Sequence, residues 1–334
     1  MDKNLDKSNL RQVIIDYPNQ LEIGAEFAKS IQLELKKTPS NLIICGMGGS
    51  ALPGDFLKSY LKTIGIKIPV YISLDYSLPH ENNENSLVFI SSWSGNTEEA
   101  IACFEEALEK KLNIVAFSEN GKIEKIAIKN NISHVKYKID FPNFQPRYGV
   151  SYAFMAMNQV LTNLELSDKI EFLPKIDSLQ KESYGKNLAK KAKNKIPIIY
   201  SSENFGFLAK TWKIKINENS KLPAFWNVFP ALNHNEMVGF SKPPHQYFVL
   251  ILKDFSDNPN TKKRMDLTAD LYKKRGIEVE MIEIEGKSFL EKLLNTSVLG
   301  DWISYYLAIE NNQDPTPVNM VEEFKKLLSN SNLS

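Results

Sequence analysis

Cys45-Gly-Met-Gly-Gly-Ser-Ala-Leu-Pro-Gly-Asp55 and Ser91-Ser-Trp-Ser-Gly-Asn-Thr-Glu-Glu99 decide the reading of this chain. Each follows a short apolar run, Asn41-Leu-Ile-Ile44 before the first and Leu87-Val-Phe-Ile90 before the second, and each leads into a helix-compatible stretch. A strand that ends in glycine, serine and threonine and then turns into a helix presents backbone N–H groups and hydroxyls at the helix N-terminus. That arrangement suits a dianionic phosphate. Glycine and serine also punctuate ordinary turns. Two such loops in one expected sheet, both rich in hydroxyls and neither containing lysine, point to a small phosphorylated ligand.

Outward from these loops, strand-like runs at 68–73, 112–117 and 133–138 join those at 41–45 and 87–91, and helical spacing marks 20–37, 50–62 and 97–111. Alternating strand and helix predicts right-handed crossovers and a doubly wound parallel sheet over about the first 140 residues. Two prolines in Asp140-Phe-Pro-Asn-Phe-Gln-Pro146 mark a boundary loop, followed by a helix at 149–164 and a charged stretch at 167–194. The pattern then resumes, with apolar runs at 196–200, 224–230, 246–252 and 277–284 and helices at 205–221, 258–275, 288–311 and 317–328. The expected fold class is therefore α/β, with two doubly wound domains, each a parallel sheet flanked by helices, spanning 1–148 and 149–334.

A chain of 334 residues is long enough for two domains of ordinary size. Its formal net charge of +1 gives no electrostatic support for a nucleic-acid partner or a polybasic membrane surface. The opening Met1-Asp-Lys-Asn-Leu-Asp-Lys-Ser8 lacks the apolar core of a secretory signal. No apolar run approaches the ~20 residues that span a bilayer. A cytoplasmic protein with no membrane partner is expected. Cys45 and Cys103 are too few for a disulfide framework. The histidines His80, His134, His234 and His245 show no i,i+4 pairing, and His234 with Glu236 makes only two ligands, so neither a metal nor a cofactor is expected.

A rival reading starts from Gly46-Met-Gly-Gly-Ser-Ala51, which fits the dinucleotide fingerprint G-x-G-x-x-G/A, with Asp75 where a ribose-binding acid would sit. Three features weigh against it. Pro53 and Gly54 are awkward just inside the helix the fingerprint requires. The Ser92–Thr97 loop places hydroxyls where a dinucleotide needs space, and nothing later resembles a dehydrogenase's catalytic set. A P-loop reading fails because no G-K-[ST] follows the first glycines.

The pair GMGGS and SxSGNT resembles the sugar isomerase (SIS) domain, a parallel-sheet module that binds phosphosugars. Residues 213–240 (KIKINENSKLPAFWNVFPALNHNEMVGF), Gln145-Pro-Arg147, and Asp314-Pro-Thr-Pro-Val318 with the lysine-bearing helix after it narrow the match. They resemble the bifunctional phosphoglucose/phosphomannose isomerases. Five separated motifs fall in order between about residue 40 and residue 328.

The resemblance implies an aldose–ketose isomerase of hexose 6-phosphates that moves a proton between C1 and C2 through a cis-enediolate. Such a reaction needs a base on one face of the sugar, a cation or donors at the developing oxyanion, and an acid/base to open the ring. By resemblance Glu218, between Asn217 and Asn219, is the base, His234 opens the ring, Arg147 stabilises the enediolate, and Lys325 assists ring opening, with Lys326 its adjacent alternative. Gly48, Gly49, Ser50, Ser92, Ser94 and Thr97 are the phosphate ligands carried over, and Trp93 between the two serines is expected to pack. In the resembling family the histidine enters from the partner subunit, so a homodimer with composite sites is implied. The alternative from a different class is a phosphosugar sensor with the same module and no chemistry. An aminosugar-phosphate isomerase would usually come with an ammonia-producing domain, and none is evident here.

Overall fold

Strands β1 (Asn41–Cys45), β2 (Val70–Ser73), β3 (Ser86–Ser91), β4 (Asn113–Ser118) and β5 (Ser133–Lys136) form one five-stranded sheet in the order β2-β1-β3-β4-β5, all pairs parallel. This is seen in a computed structural model that describes residues 5–35 and 37–331. β1 and β3 are buried at every position. Uninterrupted apolar runs behave this way when helices cover both faces of a parallel sheet. The order reverses between β1 and β3, and the loops leaving their C-terminal ends are the two quoted above. In open parallel sheets that reversal is where ligands bind.

Strands β6 (Ile196–Ser202), β7 (Phe225–Phe229), β8 (Tyr247–Lys253) and β9 (Glu278–Glu283) form a second parallel sheet in the order β7-β6-β8-β9. It repeats the order of the first four strands of the first sheet. Two α/β domains with helix-flanked parallel sheets are thus what the chain builds, as its pattern of elements predicts.

The chain divides into two compact units: Asp16–Ile176 with Lys287–Glu291, and the remainder, meaning residues up to Ile15, Asp177–Gly286 and from Lys292 on. In the unit of the first sheet, the helix Val150–Asn163 packs on the helix Asn19–Ala28, where a side chain at Gly24 would stand 2.4 Å from the Tyr152 carbonyl oxygen. The helix expected over 20–37 ends at Ala28. Asn163 Nδ2 donates to the carbonyls of Ala28 (2.9 Å) and Ile31 (2.8 Å), closing that end. Beyond it Ile31, Leu33 and Leu35 are half-buried while Gln32 and Glu34 are exposed, a two-residue period belonging to extended chain.

Pro53 and Gly54, awkward in the sequence, have plain places. A 3₁₀ turn at Gly48–Ser50 delays the α-helix to Leu52–Thr63, so Pro53 falls in its first turn, where no N–H is needed. A side chain at Gly54 would meet Ile72 and Ile44 at 2.9 and 3.0 Å, so the helix lies directly on β1 and β2.

In the other unit, the helix Leu10–Ile15 buries Leu10, Val13 and Ile14. Arg11 makes a bidentate bond to Glu182 (both 2.6 Å), on the helix Ser178–Ala192, and lies over the Trp302 ring. Tyr305 OH donates to Asp6 at 3.0 Å. The helix Ser178–Ala192 lies within the charged stretch at 167–194. Its buried face is small (Gly185, Leu188, Ala189, Ala192) and leaves little apolar contrast. Among the described residues no helix is long and apolar enough to cross a membrane.

Candidate active site

The two loops at the strand-order reversal are tied together by their own polar atoms. Ser91 Oγ donates to the Ser50 carbonyl at 2.9 Å, and Trp93 N–H donates to Ser50 Oγ at 3.0 Å. Having accepted that bond, the Ser50 hydroxyl keeps its own proton to give. Ser92 Oγ and Thr97 Oγ1 stand 2.8 Å apart and share one hydrogen bond, which leaves a hydroxyl proton available from the pair. Ser94 is exposed, and its Oγ accepts from Asn96 N–H at 3.3 Å. Thr97 precedes the helix Glu98–Glu109 in extended conformation without capping it, so the first N–H groups of that helix are not taken up by the Thr97 side chain. Trp93 packs as expected, stacked on Tyr137 (4.7 Å between centroids) and Phe144 (5.2 Å).

Arg147 belongs to the same cluster. It lies in a single 3₁₀ turn, Pro146–Tyr148, and is 1% exposed. Its Nη1 donates to Gln145 Oε1 at 2.9 Å and its guanidinium carbon is 5.7 Å from the Tyr148 ring centroid. The turn presses on the first loop so closely that a side chain at Gly49 would stand 2.8 Å from Arg147 N and 3.0 Å from the Pro146 carbonyl carbon. Glycine at 49 is therefore a condition of seating Arg147 against the loop. Gly48, Gly49, Ser50, Ser92, Ser94, Thr97 and Arg147 all lie in this one unit.

Glu218, His234 and Lys325 lie in the other unit, on three different elements. Glu218 is half-buried in the last turn of the helix Gly206–Ser220. The flanking amides anchor that turn: Asn217 Nδ2 donates to Leu222 O (2.7 Å) and Asn219 Nδ2 to Ser304 Oγ (2.8 Å). Lys221 then ends the helix in left-handed conformation (φ 54°).

His234 is exposed on a one-turn helix, Leu232–Asn235, between β7 and β8. Its neighbours hold the segment. Leu232 is fully buried, Asn233 Nδ2 donates to Thr268 Oγ1 at 2.8 Å, and Glu236 accepts from Tyr200 OH and Asn227 Nδ2. Tyr200 and Asn227 are register partners on β6 and β7, which is why both reach one carboxylate. Burial pushes the Tyr200 phenol well up, and its neighbour Tyr272 up to about 12, so both stay neutral and Tyr200 keeps the proton it donates to Glu236. This anchor is invisible in the sequence because it depends on strand register. The only signal is an acid two residues after a histidine. Lys325 is exposed on the helix Asn319–Ser331, paired with Glu322 at 2.8 Å.

Comparison with known proteins gives consistent matches. The model of the bacterial phospho-glucose isomerase C-terminal SIS domain matches residues 181–328. A bifunctional phosphoglucose/phosphomannose isomerase from Caldicellulosiruptor bescii is 36% identical over 95% of this chain and 98% of that protein. One from Aquifex aeolicus is 34% identical over 95% of this chain and 97% of that protein. Among solved structures, the C-terminal domain of glucosamine-fructose-6-phosphate aminotransferase from Francisella tularensis superposes with a TM-score of 0.71 at 14% identity, covering 95% of this chain and 100% of that one, a likeness of fold.

Proposed function

We propose, for a chain that belongs to the bifunctional phosphoglucose/phosphomannose isomerase family, a metal-independent interconversion of glucose 6-phosphate and mannose 6-phosphate with fructose 6-phosphate through a cis-enediolate. That the protein is a sugar-phosphate isomerase follows from the family. The observation that carries the finer reading is the buried Arg147 guanidinium seated on the glycine loop. Hydroxyl and N–H donors without lysine hold the phosphate there, and the Arg147 guanidinium beside them supplies a permanent positive charge for oxygen atoms that become negative during reaction.

In this reading the phosphate is bound by Gly48, Gly49, Ser50, Ser92, Ser94 and Thr97. His234 takes and returns the hydroxyl proton during ring opening, helped by Lys325 or its neighbour Lys326. Glu218 removes the proton from C2 of the open aldose, the electron pair moves to form the C1–C2 double bond, and the carbonyl oxygen at C1 gains negative charge that Arg147 stabilises. A proton passes from the C2 hydroxyl to the C1 oxygen, and Glu218 delivers its proton to C1 as the C2–O bond becomes the carbonyl, giving the ketose. No electrons leave the substrate, so no redox cofactor enters.

The working unit is a homodimer in the cytoplasm, with His234 serving the partner's site. Its exposure supports this, as do exposed apolar side chains in the same unit: Phe225 and Trp226 on β7, which ends its sheet, and Met320, Phe324 and Leu327 on the C-terminal helix.

A coupled assay with each aldose phosphate, run with chelator, tests the reaction. Glu218→Gln tests the base. Binding should persist while turnover falls by at least ~10²–10⁴-fold, the usual worth of a general base. Activity lost to chelator and restored by a divalent metal would refute the metal-free route. Binding with no turnover in the unmutated protein would make it a phosphosugar sensor instead.

A further inference from the structure

Trp212, Lys215, Asn219 and Ser220 follow one another along a single face of the helix that carries Glu218, and each makes a polar contact to the helix Phe289–Glu310. Trp212 Nε1 donates to the Thr296 carbonyl (2.9 Å), Lys215 Nζ pairs with the Asp301 carboxylate, Asn219 Nδ2 donates to Ser304 Oγ (2.8 Å), and Ser220 Oγ donates to the Ser304 carbonyl (2.8 Å). The side chains of Lys215 and Asp301 are 1% and 0% exposed.

Stability does not explain the ion pair. Taking both charges out of water carries a desolvation penalty of several kcal/mol per ion, and well-packed apolar residues of similar volume are often as stable or more so. What an apolar pair does not supply is a fixed register. Leucine and methionine accept many rotations of one helix against another, whereas a buried ammonium beside a buried carboxylate accepts few. Lys215 is three residues before Glu218, so the pair sits about 4.5 Å further back along the same helix axis. A carboxylate carried at a radius of about 6 Å moves by about 1 Å for every 10° the helix turns. A misplacement of about 1 Å is enough to lower a rate by about 10²-fold.

We infer that Lys215 and Asp301 are positioning residues, a buried ionic key that sets the rotation and axial register of the base-bearing helix and so aims Glu218. The inference rests on Glu218 being the base.

The test replaces the pair by apolar residues of similar size, Lys215→Met with Asp301→Leu, so that neither charge is stranded. Melting temperature, kcat and KM for fructose 6-phosphate are measured beside wild type and Glu218→Gln. The expected result is a melting temperature equal to or above wild type, KM within twofold, and kcat lowered at least tenfold. A folded double variant with kcat within twofold of wild type overturns the inference.

Should the double variant not fold, Asp301→Asn, which keeps the shape and one acceptor oxygen, is read the same way. A fivefold or larger loss in kcat at unchanged KM supports the key, and unchanged kcat overturns it. Glu218→Gln separates the two levels. If it is inactive while the apolar pair runs at full rate, the base stands and the key falls. If it keeps full activity, the base assignment falls and the key with it.

Discussion

Gly49→Ala is the sharpest perturbation of the phosphate loop. The added methyl would stand 2.8 Å from Arg147 N, 3.0 Å from the Pro146 carbonyl carbon and 3.1 Å from Arg147 Cα. All three are backbone atoms, so no side chain can rotate away. Ordinary contact begins at 3.4 Å, and reaching it from 2.8 Å requires the loop and the Arg147 turn to part by 0.6 Å. Overpacking of this kind costs about 1–3 kcal/mol, or about 2–4 °C of melting temperature per kcal/mol in a unit of this size. A displacement somewhat short of 1 Å lowers the rate by about tenfold, scaled from the ~10²-fold typical of a full ångström. Gly65→Ala is the matched control. Gly65 has φ +81° with nothing near its would-be side chain, so alanine there costs about 1–2 kcal/mol of left-handed strain without touching the loop. Thermal melts and a coupled isomerase assay on both variants should show similar losses of stability and a loss of kcat in Gly49→Ala alone. Gly49→Ala within twofold of wild-type kcat, or an equal rate loss in Gly65→Ala, would refute the claim that close approach to Arg147 is what the glycine is for.

Mixing Glu218→Gln with His234→Ala under subunit exchange should restore up to roughly a quarter of wild-type activity. Half of a random mixture is heterodimer, and each heterodimer has one intact composite site. A mixture that stays inactive despite demonstrated exchange removes His234 from the partner's site. Glu236→Leu leaves the buried Tyr200 hydroxyl without its acceptor, a loss of about 1–3 kcal/mol, and should lower kcat by loosening the His234 turn. Normal melting and full kcat would show that the anchor does neither. For Glu182, burial alone would raise the carboxyl, but the bonds from Arg11 and Tyr306 outweigh it and hold it below its ordinary value of 4.5. A depressed folded-state value means stabilisation that is complete above about pH 4.5 and is lost as pH falls through the folded value. Glu182→Gln should therefore flatten the acid limb of melting temperature against pH. Parallel curves for the two proteins would contradict this.

Much of the first sheet was legible because its strands are short apolar runs that end in glycine and hydroxyls, and both signals are local. The clustering of the two loops followed from them. The seat of Arg147 on Gly49 did not, since close approach between segments about a hundred residues apart leaves no mark except the glycine itself. Helical spacing over 20–37 held only to Ala28, because a short run such as Ile31, Leu33, Leu35 fits a period of two as well as one of 3.6, and the Asn163 amide that stops the helix comes from far along the chain. Nothing local in the sequence distinguishes Lys215 from the other lysines of the chain. Its burial is decided by Asp301, 86 positions later on another helix.

The helix Leu10–Ile15 has a consequence for the order in which this chain is built. It leaves the ribosome before every other described helix, yet it buries its apolar face in a unit whose other residues begin at Asp177. The partner of Arg11, Glu182, is synthesised 171 residues later, roughly 9–34 s at ordinary elongation rates of about 5–20 residues per second. Residues 16–176 can meanwhile complete all five strands of the first sheet on their own. Leu10, Val13 and Ile14 therefore wait uncovered while a complete first sheet stands beside them in sequence, which gives holdase chaperones a defined window on this nascent chain. Moving that helix to follow the last residue by circular permutation would close the window.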